Sequence, residues 1–184
     1  MRLPFFALLA LCAACGTTVA TTGSARSAAA REVLTDENGR VMRTVDLAAT
    51  ATIDASPADV MRALAASYDA VGTPANVVDP AQQLVSRTSM TISRALRGDR
   101  LSVLFDCGQG QFGPRADDGR VTLGIVSSVA GSAAPIRLTT RVDASLMPND
   151  GAASSRIHCG SRGILEERIR REVYRQLGIP LPTS

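Results

Sequence analysis

The chain contains 184 residues, of which 45% are hydrophobic and 20% charged, and its formal net charge is +3 at pH 7. All 20 basic residues are arginines, and 17 acidic residues nearly balance them, which argues against a nucleic-acid-binding surface. Aromatic residues make up only 3% of the chain, too few for the stacking platforms that bind single-stranded nucleic acids. The length fits one ordinary domain.

The N-terminus has the pattern of a signal peptide. Arg2 supplies a positive charge, and residues 3–14 form an apolar run. This run is much shorter than the ~20 residues that a membrane-spanning helix needs, and small residues follow it. Residues 1–14 are therefore predicted to be a signal peptide that is removed from the mature protein.

The sequence LCAAC lies at residues 11–15, across the predicted end of the signal peptide. Small residues before a cysteine resemble the lipobox of bacterial lipoproteins, in which the cysteine is acylated and becomes the new N-terminus. Cys12 stands where that family usually has leucine. The resemblance implies that Cys15 carries acyl chains such as palmitate and anchors the protein in the cell envelope. By the same resemblance, Gly16 implies the periplasmic face of the outer membrane. The alternative is an ordinary secretory signal that is cleaved nearby.

Residues 15–30 are mostly small and polar, carry one charge, and have no apolar face that could pack on a core. This composition is typical of a flexible tether. Residues 31–184 are predicted to form a single domain.

The first elements of that domain favour β-structure. Asn38-Gly39 lies between two short apolar segments, and this dipeptide is the strongest two-residue signal for a β-hairpin. Apolar residues then alternate as far as Ile53, which predicts a strand with one face in the core. The inward residues of this strand are predicted to be Val45, Leu47, Ala49, Ala51 and Ile53.

A helix is predicted to follow this strand. Ser56 suits the N-cap, and Pro57 suits the first helical position. Gly72 and Pro74 end the helix, because glycine accepts the left-handed cap and proline cannot continue the hydrogen-bond ladder. The apolar stripe consists of Val60, Met61, Leu64, Tyr68 and Val71.

Four further strands are predicted by alternation, over residues 84–92, 101–107, 121–129 and 136–144. In the first, Leu84 and Met90 share one side of the strand. The turns between the strands are short enough for antiparallel neighbours. The last of the four has an outward face formed by Arg137, Thr139, Arg141 and Asp143.

A short strand over residues 156–159 is predicted to lead into a final helix that ends at Gly178. Its apolar stripe consists of Leu165, Ile169, Val173 and Leu177. Two i,i+4 pairs, Glu166–Arg170 and Glu167–Arg171, are predicted on the opposite, solvated side.

This order predicts an α+β fold: an antiparallel sheet with one helix in its N-terminal half and a long C-terminal helix packed on it. Over residues 44–177 it resembles the helix-grip arrangement of START-like ligand-binding domains and of the BamC lipoprotein. The resemblance implies a curved sheet that holds the C-terminal helix.

Cys107 and Cys159 each end an apolar strand on the side that faces the core. In an oxidising compartment such a pair is predicted to form a disulfide, with two buried thiols as the alternative.

Other patterns with known chemistry are not expected to form a catalytic, cofactor or metal site. Residues 108–113 spell G-x-G-x-x-G, but a turn sequence follows, whereas a dinucleotide site requires a helix. His158, the only histidine, neighbours Cys159 in a strand, where successive side chains point to opposite faces. Asp117 and Asp118 are expected to be solvated in a turn, with nothing basic near them.

The sequence therefore favours a non-enzymatic module that binds a protein partner in the envelope. It predicts no oligomeric state. The candidate surfaces are Arg137 and Arg141 on the strand, and Arg168, Arg171 and Arg175 on the final helix. The alternative is a lipid or small-molecule carrier with a pocket between sheet and helix. An apolar cavity above ~300 Å³ would favour the carrier, and a filled core the partner-binding module.

Overall fold

A computed structural model describes residues 31–35, 41–46, 48–149 and 156–182. The predicted signal peptide, the predicted lipidation site Cys15, the predicted tether and the predicted turn at Asn38-Gly39 lie outside these residues. The described part of the chain has an α+β fold, as predicted.

The longer elements follow one another in the predicted order of hairpin and strand, helix, strands and C-terminal helix, whereas the four-residue helices α2 and α3 were not predicted. The strands are β1 (Arg31–Thr35), β2 (Val41–Asp46), β3 (Ala49–Ile53), β4 (Val77–Asp79), β5 (Leu84–Ser93), β6 (Ala95–Leu96), β7 (Asp99–Arg100), β8 (Phe105–Asp106), β9 (Gln109–Gly110), β10 (Gly113–Pro114), β11 (Gly119–Ala130), β12 (Ile136–Pro148) and β13 (Ile157–Ser161). The helices are α1 (Pro57–Ala70), α2 (Leu101–Leu104), α3 (Arg115–Asp118) and α4 (Ile164–Leu177).

The main sheet is antiparallel and has the strand order β4-β5-β11-β12-β13-β8. Strand β3 also pairs with β12, next to β13 along the same edge. Strands β1 and β2 pair as the predicted N-terminal hairpin. The single strand that was predicted to reach Ile53 is therefore divided into β2, which pairs with β1, and β3, which joins the main sheet.

Strands β11 and β12 form the centre of the sheet, and their predicted alternation is confirmed. On β11, Val121 and Leu123 are buried while Arg120 and Val126 are exposed. Strand β12 repeats the pattern, with Arg137 and Arg141 among its exposed residues. The long helices α1 and α4 pack on the buried face and on each other. The opposite face, called the outer face below, has no helix of the described residues packed on it.

Helix α1 begins where the sequence predicts, and helix α4 ends where the sequence predicts. The Ser56 hydroxyl accepts a hydrogen bond from the Asp59 amide at 3.2 Å, which caps the N-terminus of α1. Helix α4 ends at Gly178, whose φ of +67° is the left-handed conformation that glycine adopts without strain. Both apolar stripes face the core. Their buried members are Val60, Met61, Leu64 and Tyr68 on α1, and Leu165, Ile169 and Val173 on α4.

Strand β5 departs from the predicted alternation. Val85, rather than Leu84, is fully buried, although Met90 and Ile92 further along keep the predicted side. The cause is a β-bulge, because two residues of β5 lie opposite Gly124 of β11. The extra residue reverses the phase of the alternation in the first half of the strand.

The predicted strand over residues 101–107 is wrong at its start. Leu101–Leu104 is a helical turn, α2, in which Leu101 and Leu104 are buried and Val103 is exposed. The carboxylate of Asp117 accepts hydrogen bonds from the Ser102 amide at 2.9 Å and from its hydroxyl at 2.8 Å. These bonds stabilise the turn in a helical conformation. The Leu-x-Val-x-Phe alternation had predicted a strand instead.

The predicted pair Glu166–Arg170 is also wrong. Glu166 is only 3% exposed, and it accepts a hydrogen bond from the Ser161 hydroxyl at 2.9 Å. The same hydroxyl accepts from the Gly163 amide, so the start of α4 is tied to the end of β13. Arg170 instead pairs with Glu167 at 2.6 Å. The predicted pair Glu167–Arg171 is confirmed, at 2.7 Å.

The predicted disulfide is present between Cys107 and Cys159, with an S–S distance of 2.05 Å. It ties β13 to the segment that follows β8. The two cysteines are 52 residues apart in sequence, so the bridge closes a long loop.

Removing this bridge should lower the free energy of unfolding by about 4 kcal/mol on the chain-entropy model. The double variant Cys107→Ala/Cys159→Ala, unfolded in urea, measures this loss. Reduced wild-type protein is the matched control and should lose a similar amount, since it keeps both sulfur atoms. Equal stability of oxidised and reduced wild-type protein would contradict the prediction.

Candidate functional site

A groove of the described surface that several charged side chains line lies beside α4. We call it the arginine groove. Its volume is about 470 Å³. Its charged lining consists of Arg97, Arg168, Arg171, Glu172 and Arg175, and its apolar lining of Ala70, Val71 and Leu181. Three of the four arginines are those that the helical pattern of α4 pointed to, whereas Arg97 comes from the turn between β6 and β7.

Arg97 is positioned by the end of α1. Its Nε and Nη2 atoms donate to the carbonyl of Ala70, the last residue of that helix, at 3.2 and 2.5 Å. Cations are favoured at helix C-termini, where carbonyl groups lack partners. A Cβ at Gly72 would lie 2.8 Å from Arg97 Cγ, so the absence of a side chain there lets Arg97 pass. The one sequence signal for this position of Arg97 is Gly72, because a residue without a side chain leaves space for another side chain at the end of α1.

The arginines of α4 are oriented by acidic partners. Arg168 donates to Asp99 at 2.5 Å, and Arg171 donates to Glu167 at 2.7 Å. Arg175 Nε donates to Glu172 at 2.8 Å. The hydrogen bond from Arg168 lowers the pKa of Asp99, and that from Arg175 lowers the pKa of Glu172.

These contacts use only part of each guanidinium group, which has five N–H donors. Arg171 bonds Glu167 through Nε alone, so both of its Nη atoms are available. The side chains of Arg171 and Arg175 are about two-thirds exposed. The described lining contains no hydroxyl, thiol or imidazole. The groove is thus equipped to bind an anionic group next to a small apolar surface.

The second group of predicted residues lies on the outer face of the sheet. Arg137 and Arg141 are exposed there, and Arg141 makes a two-pronged contact with Asp143 at 2.9 and 3.1 Å. Neither arginine lines the arginine groove, since α4 lies on the other face. The structure therefore does not bring the two predicted surfaces together.

A smaller groove of about 310 Å³ lies on this outer face, and Asp143, Ser145 and His158 contribute to its lining. These residue types occur in hydrolytic triads, but a triad requires hydrogen bonds between its members. Among the described residues none joins these three, and Asp143 is bonded to Arg141 instead. The described residues also contain no group of three or more histidine, cysteine or acidic residues that could hold a metal ion.

Two other predicted features have clear positions. In the glycine-rich segment, Gly113 lies in the short strand β10, and the helix that follows, α3, has only four residues.

Asp117 is not solvated as predicted, because it bonds Ser102 and lies 3.3 Å from Arg100. This contact forms because β7, α2 and α3 fold together. Asp118 is exposed.

In the described part of the chain, buried side chains of the sheet and of both long helices form one hydrophobic core. A cavity between β3, β12 and α4 has a volume of about 10 Å³, which is room for about one water molecule. Nearby, the Tyr68 hydroxyl donates to the Val85 carbonyl at 3.2 Å and lies 2.9 Å from the Ser127 hydroxyl, which is 2.9 Å from that of Thr140. Burial raises the pKa of Tyr68, so its hydroxyl stays protonated.

Comparison with models of known protein families finds no match, and comparison with curated proteins finds none either. Within the residues that the structure describes, none of the helices has the length and apolar character needed to span a bilayer.

The ion pairs beside the groove should make part of the stability depend on pH. Hydrogen bonds from Arg170, and then from Arg171, lower the pKa of Glu167. A lowered carboxyl pKa stabilises the fold above the ordinary carboxyl pKa, and this contribution is lost as pH falls through the lowered value. At pH 7 the free energy of unfolding of the wild-type protein should be higher than that of Glu167→Gln, by less than about 1 kcal/mol. This difference in free energy should vanish near pH 2. Urea unfolding at both pH values tests this; a difference that does not change with pH would contradict it.

Proposed function

We propose that this chain is a lipid-anchored protein of the bacterial cell envelope whose domain binds a partner protein and has no catalytic activity. Acyl chains on Cys15 hold it to the membrane, at the periplasmic face of the outer membrane. The arginine groove is the binding site. The observation that carries this proposal is the groove itself, which offers free N–H donors of arginine beside a small apolar surface.

The anchor is supported by the sequence at residues 11–15 and by the disulfide. Disulfides persist in oxidising compartments such as the periplasm and are rare in the cytosol. Two or more acyl chains bind a bilayer stably, since each buried CH₂ contributes about 0.8 kcal/mol.

The chemistry of the groove favours an acidic segment of the partner. Four arginines and one glutamate line it, so a carboxylate can bridge two guanidinium groups. Ala70, Val71 and Leu181 add a small apolar surface, which suits a peptide in which acidic and apolar side chains are close together.

The hydrophobic core between the sheet and the long helices supports partner binding over the carrier alternative. A carrier needs a pocket of several hundred Å³, whereas a cavity that β3, β12 and α4 line has a volume of about 10 Å³. Lipid retained by protein purified from its own envelope, detected by native mass spectrometry, would favour the carrier instead.

The anchor predicts how the protein partitions in detergent. Wild-type protein expressed with its natural N-terminus should enter the detergent phase, because its acyl chains are buried there. The Cys15→Ala variant should remain in the aqueous phase. Intact-mass measurement serves as the control, since wild-type protein should begin at Cys15 and carry acyl mass. Equal partitioning into the aqueous phase would contradict the anchor.

The binding site predicts where a partner can be cross-linked in living cells. A photoreactive benzoylphenylalanine in place of Leu181, which lines the groove, should form an adduct with one protein. The matched control is the same residue in place of Val126, on the outer face. Both side chains are 42% exposed in the wild-type protein, so the two sites differ in location but not in accessibility.

Charge reversal separates specific binding from chance collision. Arg171→Glu/Arg175→Glu should abolish the adduct at position 181, since it places negative charge in the groove. Arg137→Glu/Arg141→Glu, on the outer face, should leave it unchanged. An adduct at position 126 alone would move the site to the outer face, and an adduct that survives charge reversal would contradict the role of the arginines.

A further inference from the structure

The glycine-rich segment that the sequence singled out forms a small protruding hairpin. Strands β9 and β10 pair through Gly110–Gly113 and Gln109–Pro114, which leaves Gln111 and Phe112 at the tip. Phe112 is 89% exposed, more than any other large hydrophobic side chain in the described residues. We call this element the Phe112 hairpin.

The hairpin is tied down at its base. The Arg115 amide donates to the Gly108 carbonyl at 3.0 Å, and the Gly108 amide donates to the Asp106 carboxylate at 3.1 Å. Directly before it, Cys107 is bridged to Cys159 of β13. A side chain presented by such a fixed element loses little conformational freedom on binding, which favours association.

The side chains around Phe112 carry no charge. Residues 107–114 contain no charged side chain, and the first charge after them is Arg115. In the described part of the chain the guanidinium of Arg115 has neither an ion pair nor a hydrogen bond, although most arginines near α4 are paired. It packs next to the hairpin, since a Cβ at Gly110 would lie 3.2 Å from Arg115 Cγ.

Single exposed apolar side chains are common on protein surfaces and need no explanation alone. Here an exposed aromatic ring, an uncharged hairpin and an unpaired cation occur together. At a bilayer surface, aromatic rings reside at the level of the headgroups, and each arginine is attracted to anionic lipids. An uncharged tip can enter this region without desolvating an ion.

We propose that the Phe112 hairpin inserts into the surface of the membrane, with Phe112 among the upper acyl carbons and Arg115 at an anionic headgroup. This inference rests on the proposed lipid anchor. A random coil of 16 residues spans roughly 22 Å, and an anchor at such a distance keeps a domain close to the bilayer. The hairpin would then fix the orientation of the domain, which the tether alone leaves free.

The chain contains no tryptophan, so a single substitution creates a unique fluorescent probe. Full-length acylated protein with Phe112→Trp is bound to vesicles of phosphatidylethanolamine and phosphatidylglycerol. Its emission should shift to shorter wavelength and be quenched by lipids brominated in their acyl chains. The matched control is Val126→Trp on the outer face, whose emission should not change. Circular dichroism checks that both variants are folded.

Arg115→Gln in the Phe112→Trp background tests the cation. For protein without the acyl anchor, carrying Cys15→Ala, this change should weaken partitioning to the same vesicles about fivefold, because one arginine contributes about 1 kcal/mol at an anionic surface. Partitioning to phosphatidylcholine vesicles should not change. An equal effect on both kinds of vesicle would overturn the role of Arg115.

The outcomes distinguish this inference from the proposed function. Acylated protein that does not float with vesicles would contradict the anchor. Protein that floats while the tryptophan at position 112 stays accessible to aqueous acrylamide would overturn the hairpin insertion and leave the anchor standing. Shielding from acrylamide without quenching by brominated lipid would place the hairpin in a protein pocket, and this too would overturn the membrane assignment.

Discussion

The central constraint on this fold is the pairing of β11 with β12. All 12 residues of β11 pair with β12 in an unbroken antiparallel register. Side chains alternate between the faces, so a shift of one residue would move every buried side chain to the solvent. Once this register is set, α1 and α4 have a single apolar face on which to pack. The outer face remains polar, and the arginine side of α4 is left in solvent.

The sequence predicts elements whose pattern is local. Alternation along β11 and β12, the N-cap at Ser56 and the glycine after α4 were all visible, because each depends on residues a few positions apart. Prediction from the sequence fails where a residue far away along the chain determines the local structure. The Asp117 carboxylate converts the start of a predicted strand into α2, and the bulge opposite Gly124 reverses the phase of β5. Neither the Asp117 hydrogen bonds nor the bulge produces a periodic pattern that the sequence alone would reveal.

The same distinction applies to the arginine groove. Arg168, Arg171 and Arg175 lie on one side of a helix whose period is readable, and were predicted as a surface. Arg97 is far away in sequence, and joins them only because it is bonded to the end of α1. The Phe112 hairpin was singled out as a glycine-rich loop, but only the structure places its ring in solvent and its base beside the disulfide.

The exclusive use of arginine in this chain has a physical consequence at the groove. A guanidinium is a planar fork, so Arg171 can hold Glu167 through Nε while its two Nη atoms point elsewhere. An ammonium concentrates its three donors on one atom, and an ion pair with a neighbouring glutamate would compete directly with a ligand. Arginine therefore allows one side chain to be oriented by the helix and to bind at the same time. The acidic residues of α4 that bond Arg171 and Arg175 then orient the arginines of the groove. The near balance of charge in the chain is therefore compatible with an anion-binding surface.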